Sequence, residues 1–314
     1  MPPQAPRARS PRQLLLYLVL VIFLGAAAYG LASRRDQLAA ALQHLTWESV
    51  VGAFLFGLVA IFALLASWMA AVRDTGVDLP RRDFAQIFFV GQVGKYIPGS
   101  VWPVLTQAHL ARRRGASPLR VGSGSLLSLA ISVCVALALG GVLLPFSGHA
   151  AATQLWWVPF IALPLVIVLH PVPLNRLLVT ASRVLKRGEV QFSYTRQGIG
   201  RSAAWALVGN LALGAHIFCL AHAVGASGPR GFLLSTCAFA LASGVGVVVI
   251  LAPAGAGVRE AVLTTVLAPV LTLDAALVVA LVSRAIFIVI DVGLGLSQIR
   301  GPRHRTVSAE EPAE

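Results

Sequence analysis

Charge is what this sequence has least of. Only 12% of its 314 residues are Asp, Glu, Lys or Arg, about half the share of a soluble domain. Hydrophobic residues make up 57%, and mean hydropathy is +0.80. So few charges cannot clothe a globule of this size. Cysteine is scarce too: Cys134, Cys219 and Cys237 lie in apolar stretches without metal-type spacing and read as small packing residues. No Walker lysine motif, Ser-His-Asp order or metal cluster is present, since "GAGVRE" lacks the Lys-Ser/Thr and follows no strand. Only 15 residues follow Ile299. The sequence therefore points away from an enzyme, from a resident metal or cofactor, and from an ATP-driven pump acting alone.

What is present is apolar and long. Leu14–Ala32, Ser49–Val72, Val121–Phe146, Ala151–Leu174 and Ser202–Ala221 contain no Asp, Glu, Lys or Arg. Each reaches the roughly 20 residues that span a hydrocarbon core. The net charge of +13 resides in short connections, which reads as topology and lipid contact rather than nucleic-acid binding. The first run also suits a cleavable signal ending near "LAS", but it is long for one and the topology requires it as a span.

Applied loop by loop, the positive-inside bias predicts an all-α polytopic protein of the cell membrane with both termini cytoplasmic. Arg7, Arg9 and Arg12 hold the N-terminus inside; Arg300, Arg303 and Arg305 hold the tail there. Segments 73–83 and 112–120 are both basic and both inside, with one apolar block between them. That block, 84–111, is expected to be a re-entrant hairpin. The same logic makes 232–271 a second hairpin, entering from the opposite face. This arrangement leaves 19 of 25 Lys and Arg cytoplasmic, three external and three within the membrane. The expected architecture is six spanning helices plus two re-entrant broken-helix hairpins in an inverted repeat. Its parts are a basic segment (1–13), one membrane domain (14–299, halves about 14–146 and 151–299) and a tail (300–314). "GVDLPR" before the first hairpin matches "GASGPR" before the second at Gly, Pro and Arg.

Both hairpins break in the middle. In "ILAPAGAGVREAVL" (250–263), Pro253, Gly255 and Gly257 interrupt the helix. It restarts near Val258, where helix N-terminal amides and Arg259 attract an anion. Glu260 either orients that arginine or binds an amine; a structural kink is the alternative to a site. In "GQVGKYIPGSVWPV" (91–104), Pro98 and Gly99 follow Lys95 and Tyr96. Lys95 is one of two lysines in the chain, either a site residue or a side chain snorkelling to the cytoplasmic face. Arg284 and Asp291 share a face of the last span about 10 Å apart. Each is therefore expected to meet another partner, such as Glu260 for Arg284; a purely structural ion pair is the alternative to a site. His216 and His222 read as satisfied packing groups.

"GKYIPGSVWPV" followed by "ARRRGAS", and then "PAGAGVREAVL", resemble the paired signatures of the lysylphosphatidylglycerol synthase transmembrane-region family, also called flippase-like domain proteins, over residues 12–300. By motif position the resemblance covers Lys95, Pro98, Gly99, Pro253, Gly255, Gly257, Arg259 and Glu260. It implies lipid transfer between leaflets. In bifunctional members a separate C-terminal domain makes an aminoacylated phosphatidylglycerol, and that domain is missing from this chain. Members tied to other lipids or lipid-linked glycans leave the substrate open. The leading expectation is a translocase for a lipid with a polar or anionic headgroup, with a lipid-synthesis enzyme as a possible partner. A secondary transporter of a small anion or amine and a non-transporting scaffold for envelope lipid synthesis stand as alternatives. Oligomeric state and energy source are not legible.

Overall fold

The computed structural model of the protein describes residues 35–96, 102–147, 170–184, 194–248 and 257–299. Every regular element among them is helical. In chain order these are α1 (Arg35–Gln43), α2 (Trp47–Arg73), α3 (Arg81–Val93) with a 3-10 turn (Gly94–Tyr96), α4 (Trp102–Arg112) and α5 (Pro118–Leu143). Then follow α6 (Pro171–Val184), α7 (Arg196–Ala223), α8 (Gly228–Val248), α9 (Val258–Leu267) and α10 (Leu273–Ile299). Five stretches are long and apolar enough to cross a membrane: Trp47–Arg73, Pro118–Phe146, Arg196–Ala223, Gly228–Val247 and Leu273–Gln298. The protein is an all-helical membrane protein.

Four of the five coincide with expected spans. The fifth, α8, is the first limb of the second expected hairpin and has the length of a span in its own right. Of the two remaining expected spans, 14–32 and all of 151–174 except its last five residues lie outside the described residues, as do the segments 1–13 and 300–314. The basic connection 175–201 holds most of a helix, α6, which a search for charge-free runs passes over because Arg176 and Arg183 interrupt it. Asn175 docks α6 onto the chain before α7: its side-chain amide donates to the Tyr194 carbonyl and accepts from the Tyr194 N–H.

Helix starts follow the local sequence. Thr46, Ser117 and Thr195 each accept the backbone N–H three residues on, at the starts of α2, α5 and α7. Such caps satisfy donors that a helix start leaves unpaired. In lipid, apolar helices gain nothing by hiding from water, so their association depends on close packing and interhelical hydrogen bonds. Small residues provide both. α2 and α7 run antiparallel, with Gly52 against Cys219, Gly57 beside His216 and Gly209 against Leu64. Further along, the Ser67 hydroxyl donates to the Ser202 carbonyl at 2.8 Å, and Asp74 accepts from Thr195 N–H and Oγ1–H, both at 2.7 Å. α5 and α8 interlock reciprocally, Gly140 against Leu241 and Gly244 against Leu137.

Around that frame, α3 packs on α10, and α4 returns along α3 to meet α5. α8 packs on α5 and α7, and α9 returns along α8 to meet α10.

One position tests the packing directly. A Cβ at Gly124 would lie 2.8 Å from the Cα of Val72, so Gly124→Val must push α5 off α2. Overpacking of this kind typically costs about 1–3 kcal/mol. The unfolding temperature in detergent should fall, while Gly200→Ala, with nothing within 4 Å of the new methyl, should leave it unchanged. A Gly124→Val protein as stable as the parent would show that α2 and α5 are not held this closely.

Candidate functional site

A cavity of about 340 Å³ opens among α2, α3, α4, α5, α7, α8, α9 and α10. Much of its wall is apolar. Its charged lining among the described residues consists of Lys95, Arg259, Glu260 and Arg284.

Lys95 and Tyr96 lie on the 3-10 turn that ends α3. Both reach across to α10, where Lys95 Nζ lies 2.7 Å from Asp291 Oδ2 and the Tyr96 hydroxyl donates to the same oxygen at 2.6 Å. The Asp291 side chain is fully buried. Its other oxygen, Oδ1, has no hydrogen-bond partner among the described residues. One α-helical week of residues earlier, Arg284 Nη1 donates to Glu260 Oε1 of α9 at 2.5 Å. Thus Asp291 and Arg284 of α10 each take an opposite charge from a different broken helix.

Gly257 starts α9 at φ +82°, a left-handed conformation that side chains with a Cβ rarely adopt. Its N–H donates to Glu260 Oε2 at 2.7 Å, half of a capping box. Both oxygens of Glu260 are therefore engaged within the protein. The expectation that the helix start itself receives an anion meets this obstacle: its own carboxylate already neutralises the first amide.

Arg259 differs from the other two cations. Its guanidinium carbon sits 4.2 Å from the Phe239 ring centre and 5.8 Å from that of Phe287. No described residue gives it a hydrogen bond or ion pair. Stacking on aromatic faces is a use to which arginine is suited and lysine less so. Behind the two rings lies His216, fully buried, with Nδ1 2.8 Å from the Ala53 carbonyl and Nε2 2.8 Å from Ser283 Oγ. A carbonyl only accepts, so Nδ1 carries a proton and donates to Ala53, and Nε2 is hydrogen-bonded to the serine hydroxyl. The histidine is satisfied in packing, as its setting on α7 implied. Among the described residues no group of three or more His, Cys, Asp or Glu is placed to hold a metal ion.

The family model for the lysylphosphatidylglycerol synthase TM region matches residues 13–295. The chain belongs to that family. No curated protein matches this family member. The matched region is the family's transmembrane part, and of the motif residues Lys95, Arg259 and Glu260 sit where the end of α3 and the start of α9 meet α10.

In this lysylphosphatidylglycerol synthase TM-region protein, Lys95, Tyr96, Gly257, Arg259, Glu260, Arg284 and Asp291 are gathered at or beside one cavity. Pro98, Gly99, Pro253 and Gly255 lie outside the described residues. Gln107 lines the cavity and is buried, whereas His109 two residues on is exposed.

Sequence reasoning missed Phe239 and Phe287, because an aromatic residue in an apolar helix carries no mark of what it faces. It also missed Asn210, Ser243, Ser283 and the row Ser125, Ser128, Ser132 on α5. That row had a signal: spacings of three and four place all three hydroxyls on one face of a helix otherwise apolar.

Proposed function

We propose that the protein is a lipid translocase, moving a lipid with a polar or phosphate headgroup between leaflets while its tail stays in hydrocarbon. It would act in the cell membrane, without catalytic chemistry, alone or beside a lipid-synthesis enzyme. The observation that carries this reading is Arg259: a guanidinium facing an interior cavity, with aromatic support and no carboxylate partner among the described residues. Intramembrane charges are costly and are kept where they serve ligand or ion pathways.

The finer architecture belongs to the same proposal: six spans and two re-entrant hairpins, α3–α4 and α8–α9, in an inverted repeat. Helix contacts support it. Exchanging α2 with α7, α3 with α8, α4 with α9 and α5 with α10 turns each pairing of one half into a pairing that also occurs in the other. Since α2 and α7, the corresponding helices, run antiparallel, such a repeat is an inverted one. Gly76 and Gly225, matched in the sequence, both have positive φ, +79° and +119°.

Topology is tested by labelling single cysteines in a background lacking Cys134, Cys219 and Cys237. Arg113→Cys and Arg201→Cys should react only from the cytoplasmic side, His44→Cys and Ser227→Cys only from outside. Reaction of position 113 from outside would remove the first hairpin. Function is tested by transfer of a fluorescent phosphatidylglycerol across liposomes containing the purified protein. Rates no higher than those of protein-free liposomes, with the protein shown to be folded, would refute translocation of that lipid class.

A further inference from the structure

Resting on the reading that the cavity receives an anionic group, we infer that Asp291 is a proton site and takes up one proton for each anion that enters. Transfer is then an electroneutral symport of anion and proton, driven by a proton gradient.

Asp291 is held unlike the other acid of the site. Both oxygens of Glu260 are taken, one by Arg284 and one by the Gly257 N–H, so a proton there displaces a contact. Asp291 holds Lys95 and Tyr96 through Oδ2 alone. Its Oδ1 is buried with no hydrogen-bond partner among the described residues. A buried charged oxygen left unmatched is costly, and neutralisation relieves it. The Lys95 ammonium, 2.7 Å from Oδ2, is what keeps the carboxylate ionised.

That ammonium is also the part of the pair that can leave. Lys95 lines the cavity with its side chain partly exposed, whereas Asp291 lies behind it fully buried. A lysine stem is flexible and its three donors turn freely. An anion that meets Arg259 and reaches Lys95 draws the ammonium away and strands the carboxylate in a medium that screens poorly. One proton on Asp291 removes that penalty. Lys95, Arg259 and Arg284 against Glu260 and Asp291 give the empty site one positive charge. An anion together with a proton leaves that sum unchanged.

Tyr96 supplies the route. It lines the cavity, and its hydroxyl donates to Asp291 Oδ2 at 2.6 Å. It accepts a proton from the cavity side and passes its own to the carboxylate. The phenol ends as it began, Asp291 becomes a neutral acid, and Lys95 keeps its charge. The other helices packed on α10 are α1, α2, α7 and α9. From α9 come Arg259 and the engaged Glu260, and Arg284 of α10 itself pairs with that acid. From α7 comes His216, held by Ala53 and Ser283. The remaining charges of α1, α2 and α7 lie toward the helix ends.

The test is calorimetric titration of the full-length protein in detergent with dihexanoyl phosphatidylglycerol, whose phosphodiester stays ionised between about pH 6 and 8. Repetition in buffers of different ionisation heat counts the protons taken up, and about one per bound lipid is expected. The loaded protein holds the extra proton, so affinity should rise as pH falls, by up to about tenfold per unit. Asp291→Asn should bind without proton uptake and without that slope. Lys95→Gln should also lose the uptake, since no ammonium remains to be exchanged for a proton, and it decides the matter where Asp291→Asn does not fold. Glu260→Gln should keep it. Binding by the unaltered protein without proton uptake would overturn the inference and leave the translocase reading in place. Uptake that persists in either of the first two variants, or is lost in Glu260→Gln, would do the same. In liposomes a pH gradient should gather fluorescent phosphatidylglycerol in the leaflet facing the alkaline side, about tenfold per unit. Transfer that the gradient leaves unbiased would overturn the coupling alone. Proton-linked binding without transfer would leave Asp291 as a proton site and remove translocation. Absence of binding at every pH would remove both.

Discussion

Arg259→Gln is expected to lower transfer of an anionic phospholipid across reconstituted liposomes by about 10- to 100-fold. That range corresponds to losing charge-assisted hydrogen bonds of roughly 1.5–3 kcal/mol. The companion measurement separates function from structure. Arg259 has no ion-pair partner among the described residues, so its neutralisation strands no acid. The unfolding temperature should stay level or rise. Were Arg259 instead a structural pin, stability and transfer would fall together. Arg259→Lys keeps the charge but loses the fork that grips two oxygens and the flat face that stacks on Phe239. Transfer should be intermediate, with a weaker preference for phosphate. A parental rate in Arg259→Gln would place the headgroup elsewhere.

The opposite signature is expected at Asp291. Its carboxylate is fully buried and its Oδ2 holds both Lys95 and Tyr96. Asp291→Ala leaves an ammonium and a phenol without their acceptor. Breaking a buried pair costs about 3–5 kcal/mol, and the lower end applies because the Lys95 side chain is 29% exposed. Folded yield and unfolding temperature should fall before any transport question arises. Combining Asp291→Leu with Lys95→Met removes both charges and should recover most of the lost stability. The double variant should still fail to bind the first broken helix to α10 through charge, so transfer stays low even where folding returns. If Asp291→Ala is as stable as the parent, the pair does not join α3 to α10. Glu260→Gln should lie between the two cases, since the amide oxygen can still accept from the Gly257 N–H while the charge opposite Arg284 is lost.

How much of this was written in the sequence depends on the range of the interaction concerned. Spans are local: a charge-free run is long enough or it is not, and α2, α5, α7 and α10 were legible for that reason. The restart of α9 at Val258 was legible too, because Gly257 and the residues that follow set it within one turn. α6 was lost to two arginines that break an apolar run without breaking a helix.

The ion pairs divide along the same line. Seven residues on a helix fix the spacing of Arg284 and Asp291, and about 10 Å stretches their direct pairing, so the sequence alone pointed to other partners. It offered Glu260 as one such partner for Arg284, and the structure pairs the two. It had no means of bringing Lys95 and Tyr96 to Asp291, a contact spanning 195 residues, because only the packing of α3 on α10 sets that distance. The same holds for Arg259. Its charge was visible in the sequence, but its freedom from any ion-pair partner among the described residues was not. That freedom exists because α9 turns Glu260 back onto its own first amide and toward Arg284, leaving the neighbouring guanidinium against Phe239 and Phe287, two rings that α8 and α10 supply.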